Sequence, residues 1–317
     1  MKHARRSLIP ILMVLVITFT GCRKYLEFEG EDLEPRLVLN GLALADSVVT
    51  IHLSNSRGVI DPRPISRVTN ATVNLYDGQG NLIEQLAHQG DGRYRGGVAL
   101  APGSVVSVQA SAGNFGSVSA QDMVPNTVAI EQWDTTSVIV AGGGSFEFPA
   151  LELAFTVTDP PDQTNFYMLE GYIVQADSII YDWDPITGEP IIDTVPANVP
   201  QVYPVGFSST DQILIANGDA EVGETRVYFT RAVLRDALFN GTRRTFTIRL
   251  DNTIRPGTLD LRWVSITNAT YLYYRTLERF LYANDDPFAE PVQVYTNIEG
   301  GLGIWGGANV ARVTIEL

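Results

Sequence analysis

One cysteine and three histidines in 317 residues leave this chain short of the side chains that most metal and nucleophile chemistry needs. The cysteine stands at position 22, so no intrachain disulfide and no thiolate metal cluster can form. A Ser-His-acid triad would need His52 or His88, and both fall in strand-like alternating runs where a structural imidazole is expected. Positive charge is scarce too: 22 Lys and Arg face 36 Asp and Glu, for a formal charge of −14. Such a chain repels a phosphate backbone, which excludes nucleic acid as a partner. The apolar run Leu8 to Ile17 is about half of the roughly 20 residues that a membrane-spanning helix requires, so a retained span is not expected.

That short run fits a different role. Lys2, Arg5 and Arg6 precede it without an acidic residue, and the small residues Thr20 and Gly21 follow it just before Cys22. This is the layout of a secretory signal. It resembles the bacterial lipoprotein cleavage box, with Phe19 where that box usually carries Leu. A thiolate is a nucleophile and can accept a diacylglyceryl group. One acyl chain anchors only marginally, so two or three chains on Cys22 are expected to hold the protein to a bilayer. Residues 1–21 are then a lipoprotein signal peptide. Without them the balance is 19 basic against 36 acidic residues, or −17.

Residues 22–35 read as an acidic tether, with Glu27, Glu29, Glu31, Asp32 and Glu34 and no apolar period. Lys24 followed by these acids partly resembles the surface-export signal of Bacteroidota lipoproteins, which leaves surface and periplasmic exposure both open. From 36 to 124 the chain alternates in short runs: RLVLNGLAL, SVVTIHLS, ATVNLY, NLIEQLAHQ, RYRGGVAL, SVVSVQA and FGSVSAQ. Turn chemistry separates them, as in Asp77-Gly78-Gln79-Gly80-Asn81. The meander resembles an Ig-like or carboxypeptidase-regulatory-type β-sandwich. Val124-Pro125-Asn126 reads as a boundary, and residues 125–317 as a larger β-rich domain. Within it, helices are expected near 231–240 and 269–283, and the five prolines between 184 and 204 predict a long irregular excursion. VQVYTNI and VARVTIEL read as strands joined by a glycine-rich run. The fold class expected is therefore mainly β, with two short helices.

The segments LVLNGLA, ATVNLYDGQGN, SAQDMVP, DALFNG and above all DPFAEPVQVYTNIEGGLGIWGG resemble an exported lipoprotein family. It is catalogued as domain of unknown function 4249 and found mainly in the Bacteroidota. The family has no established activity, and its members often sit beside TonB-dependent outer-membrane transporters. The resemblance implies an outer-membrane lipoprotein of a Gram-negative bacterium, with such a transporter as a possible partner and no catalytic residue to carry over.

Other constellations are thin. Gly300-Gly301-x-Gly303 lacks the Lys-Ser/Thr of a phosphate loop and opens no helix, so a tight turn or close strand packing is expected there. Asp182, Asp184 and Glu189 are candidate calcium ligands, but Ile186 breaks the EF-hand pattern. No cofactor is expected. Four Asp-Ser/Thr-aliphatic triplets, beginning at Asp46, Asp134, Asp177 and Asp193, resemble Bacteroidota O-glycosylation sites. Candidate ligand or partner contacts are Tyr181, Trp183 and Tyr203 in the proline-rich excursion and Trp305 in the glycine-rich turn. The expectation is a non-enzymatic binding or accessory lipoprotein. A surface hydrolase acting on glycans or peptides and a purely structural envelope protein are the alternatives.

Overall fold

The computed structural model describes residues 34–58, 63–113, 115–141, 147–183, 190–217, 227–250, 257–285, 290 and 292–317. In chain order the strands of the first part are β1 (Leu37–Leu44), β2 (Val48–Asn55), β3 (Thr72–Asp77), β4 (Leu82–Gln85), β5 (Ala87–His88), β6 (Arg93–Ala99), β7 (Val105–Ala112) and β8 (Gly116–Met123). There follow β9 (Ile130–Ala141), β10 (Glu147–Thr158), β11 (Phe166–Trp183), β12 (Pro190–Pro204), β13 (Phe207–Ser209) and helix α1 (Gln212–Asn217). The last elements are β14 (Val227–Phe229), β15 (Arg231–Arg235), β16 (Arg243–Leu250), β17 (Thr258–Ile266), helix α2 (Asn268–Asp285) and β18 (Leu302–Glu316). The fold is mainly β, as expected.

Three sheets assemble in a simple way. The largest has nine strands in the order β12-β11-β17-β18-β1-β2-β6-β5, with β15 also paired to β11. One face of it carries Leu37, Leu39, Ile51 and Leu53 at one end and Leu259, Leu261, Trp263 and Tyr167 at the other, all of them buried. Over the first end lies the four-stranded sheet β4-β3-β7-β8, which adds Val73, Leu75, Val106, Val108 and Val118 to a first hydrophobic core. Over the second end lies the five-stranded sheet β14-β13-β16-β10-β9, whose Leu153, Phe155, Phe246 and Ile248 complete a second core. The opposite face of the large sheet is covered in part by α2, where Met168, Val233, Val264, Ile266 and Ala308 pack with Tyr271 and Tyr274.

The parallel pairing of β1 with β18 holds the two ends together. Antiparallel neighbours need only a hairpin, whereas a parallel pair needs a long crossover; here nearly the whole chain is that crossover. Close approach makes glycine necessary at several positions, Gly41 and Gly307 among them. A side chain at Gly41 would meet Ile51 and the Trp305 ring at 3.0 Å, and one at Gly307 would collide with the Met123 carbonyl. The glycine-rich run does both things expected of it: Gly300 turns the chain into β18 at φ 75°, and Gly307 permits close packing within the strand.

Several sequence expectations change at this level. The break at Val124-Pro125 separates two hydrophobic cores rather than two bodies, because Pro35–Leu317 is one compact unit and β18 returns to pair with β1. Residues 231–240 are not a helix. Arg231–Arg235 pair with Phe166–Glu170 of β11 and only Asp236–Leu238 form a 3₁₀ turn, since tertiary pairing overrides a modest helix propensity. The proline-rich stretch is largely strand: β12 pairs with β11 from Tyr172↔Pro204 to Trp183↔Pro190. It tolerates its prolines because it is the edge of the sheet. Residues 292–298 carry no strand, although Glu299 exchanges two backbone hydrogen bonds with Ser119. The helix expected at 269–283 is α2. The second helix, α1, begins at Gln212 behind Asp211, whose Oδ1 accepts the Ile213 N–H at 2.8 Å.

Candidate functional site

Between α2 and the β14–β15 segment lies a groove of about 600 Å³, within the usual range for a small-molecule site. Its walls are built by three distant parts of the chain: Gly206 and Phe207, Tyr228 to Arg231 with Val233, and Tyr274, Leu277, Glu278 and Leu281. The helical spacing of Tyr274, Leu277, Glu278 and Leu281 puts all four on one side of α2. Tyr228 is 67% exposed and Leu281 57%, so apolar surface is open to solvent at the rim.

Beside this wall the sheet carries an ordered charge network. Register places Glu170 of β11 directly between Arg231 of β15 and Arg262 of β17. The Glu170 carboxylate lies 3.4 Å from Arg231 Nε and 3.8 Å from Arg262 Nη1, and Arg262 Nη2 donates to Asp260 at 2.7 Å. Each guanidinium also covers an aromatic ring, Arg231 over Tyr274 at 4.6 Å and Arg262 over Tyr172 at 4.4 Å. Burial opposes the charge of Arg231, but Tyr274 and Glu170 outweigh it and hold the group firmly protonated. Burial, with Glu170 nearby, pushes the Tyr172 phenol up. On the helix, Glu278 is paired with Arg275 at 3.7 Å. The groove thus offers an apolar body with fixed charges at its margin, an arrangement suited to binding and orienting a ligand.

Two other polar clusters hold loops together. Asp159 is 1% exposed and accepts hydrogen bonds from the Tyr167 hydroxyl and, at 2.9 Å, from Gly241 N–H. Burial, partly offset by those donors, raises its pKa. Asp236, equally buried, accepts Asn165 N–H at 2.6 Å. At the start of α2, Thr267 Oγ1 donates to Asp122 at 2.5 Å, and Asp122 is also raised by burial. Among the described residues no group of three His, Cys, Asp or Glu side chains could hold a metal ion, and no helix is long and apolar enough to cross a membrane.

The residues singled out from sequence fare unevenly. Cys22, Asp184 and Glu189 lie outside the described residues, as do the side chains of Tyr181, Asp182 and Trp183, whose backbone belongs to β11. Tyr203 is exposed, on β12. Trp305 is not a surface contact: it is fully buried over Gly41, and its indole N–H donates to Val106 O at 3.0 Å. The Asn297 side chain brackets it, accepting Trp305 N–H at 3.0 Å and donating to Trp305 O at 2.6 Å. His52 Nε2–H donates to Asp91 O at 3.1 Å, and His88 packs on Tyr94. The groove itself was not read from sequence. Its only signal there is the aromatic and leucine side of the last helix, a pattern that core packing produces equally well.

The segments that carried the family resemblance meet as structural joints. Gly41 of LVLNGLA lies under Trp305 of GIWGG, Met123 of SAQDMVP abuts Gly307, and Gly241 of DALFNG donates to Asp159. No curated protein matches the chain. Among solved structures a biofilm associated protein B domain aligns at 7% identity over 89% of this chain and 86% of that one. Its TM-score of 0.15 carries no argument about fold. The model of the domain of unknown function DUF4249 matches residues 23–314, and the chain belongs to that family.

Proposed function

We propose that this protein is a lipid-anchored binding or accessory protein of the cell envelope, which holds a small ligand in the groove between α2 and β14–β15. The observation that carries the binding role is the groove, an opening of about 600 Å³ with aromatic and aliphatic walls and ion-paired charges at its edge. The anchor rests on the leader, whose basic start, short apolar run and terminal Cys22 fit lipoprotein processing. A TonB-dependent outer-membrane transporter is the partner implied by the family resemblance.

Two measurements test the reading separately. Labelled palmitate should enter the protein and vanish in Cys22→Ala; a variant that still takes up label and fractionates with membranes defeats the anchor. Affinity capture from native membranes should recover a transporter, and filling the groove with Leu277→Trp should abolish ligand uptake without loss of that partner. Uptake unchanged by the filled groove would remove the binding role. Turnover of a glycan or peptide by the purified chain would favour a surface hydrolase instead.

A further inference from the structure

Among the described residues most margins of the sheets are guarded, and β15, which pairs with β11 alone, is five residues long with an arginine at each end. The edge strand β12 holds Pro190, Pro196, Pro200 and Pro204. β4, β5 and β14 are four, two and three residues long. β8 is covered by Glu299, which bonds Ser119 in both directions at 3.2 and 2.8 Å. Prolines, brevity and covering segments are the usual ways of blunting an edge. β9 has none of them. It runs twelve residues, IEQWDTTSVIVA, without proline, lysine or arginine, and pairs with β10 alone.

The side chains of that edge are specific as well. Trp133 lies opposite Phe155 and Thr135 opposite Leu153, so Trp133, Thr135, Ser137 and Ile139 face the side of the second core. At this margin the core side is uncovered: Trp133 is 44% exposed and Ile139 67%. A two-fold axis perpendicular to the sheet pairs two β9 strands antiparallel and keeps their core sides together, so only residues of the same side can oppose each other. Centring the pair on Thr136 sets Trp133 against Ile139 twice, Thr135 against Ser137, Asp134 against Val138, and Gln132 against Val140. Both exposed apolar groups find each other and no like charges meet. Centring it on Asp134 would oppose two carboxylates, on Thr135 would set Ile139 against Glu131, and on Ser137 would leave Trp133 against Ala141.

We propose that β9 is a self-association surface, where a second copy of this chain adds its own β9 antiparallel in the register centred on Thr136. The five-stranded sheet then continues across the axis as a ten-stranded one, with backbone hydrogen bonds supplying affinity and the Trp133–Ile139 pairs supplying register.

The test uses the full chain in detergent with Cys22→Ser, which leaves no other thiol. Sedimentation should show a concentration-dependent dimer. Directly opposed residues have Cα atoms about 4.5–5.5 Å apart, within disulfide reach, so Thr136→Cys should oxidise to a covalent dimer. Val138→Cys should not, because its two copies lie roughly 13 Å apart in this register. Ile139→Lys should weaken the dimer by about ten-fold while leaving the thermal melt unchanged, since the side chain is exposed. A chain that stays monomeric overturns the proposal. So does a dimer that is insensitive to Ile139→Lys, or one that cross-links as well through residue 138 as through 136. Recovery of a β9-bound strand from another protein, with no self-association, would overturn the choice of occupant.

Discussion

Two fully buried tryptophans, one in each hydrophobic core, solve the same problem differently. Trp305 of β18 sits over Gly41 and sends its indole N–H across to Val106 O on the facing sheet. Trp263 of β17 lies in an aromatic cluster, stacked on Tyr167 with ring centroids 4.7 Å apart and flanked by Phe155 and Phe246, while its N–H finds no acceptor among the described residues. A buried donor without a partner costs about 1–3 kcal/mol. Aromatic contact of about 0.5–1.5 kcal/mol per pair offsets it. The first core is thus locked by direction as well as volume, and the second by volume and ring packing. The groove and its ion network stand beside the second.

The contrast is broken most directly by Trp305→Ala. It should cost about 4 kcal/mol or more, since it empties a ring-sized space and deletes the hydrogen bond to Val106 O. Denaturant unfolding measures this, and a loss below about 2 kcal/mol would show that the joint between β1 and β18 is held elsewhere. Next in size is the comparison of two conservative changes. Trp305→Phe should destabilise by about 2 kcal/mol more than Trp263→Phe, because the first deletes a hydrogen bond and the second deletes an unpaired donor. Equal effects would mean that the indole N–H of Trp263 is satisfied in solution.

The loop clusters sharpen the comparison through pH. Burial raises Asp159 above its ordinary value, and the same holds for Asp122. An acid with a raised folded pKa favours the folded state most below its unfolded pKa, and that advantage is lost as pH rises through the folded pKa. Asp159→Asn keeps an oxygen for Gly241 N–H and offers its amide hydrogens to Tyr167. The stability of Asp159→Asn relative to the native chain should therefore improve as pH rises from about 4 towards 7, by an amount smaller than either tryptophan effect. A difference independent of pH would show that this carboxyl titrates as it does in the unfolded chain. Smallest is Arg231→Ala, whose side chain is 41% exposed; it should change stability by less than about 1 kcal/mol while weakening retention of whatever occupies the groove.

Local signals in the sequence carried far in the first half. Asp77 accepts the N–H groups of Gln79 and Asn81 at 2.9 and 2.8 Å, so the turn chemistry named the β3–β4 hairpin before any packing was known. Those same donors, with the Asn81 amide foremost, lower the Asp77 pKa. Periodicity likewise placed α2. It failed at Arg231–Arg235, where Leu234 turns to the second core and Val233 to the helix side, an alternation that only β11 as a neighbour makes meaningful. The groove was illegible for the same reason: Phe207, Tyr228, Arg231 and Tyr274 carry no shared pattern, and folding alone makes them neighbours.

What the chain determined by itself is whatever depends on near neighbours or on composition: its strand-rich character, its hairpin turns, its last helix and its acidic balance. Tertiary structure alone decided that β18 runs back beside β1, that Trp305 is a core plug rather than a contact, and that β9 is an open edge among the described residues. The reason is physical. Turn and helix preferences are set within a few residues, whereas pairing partners and burial depend on which distant surfaces exclude water together.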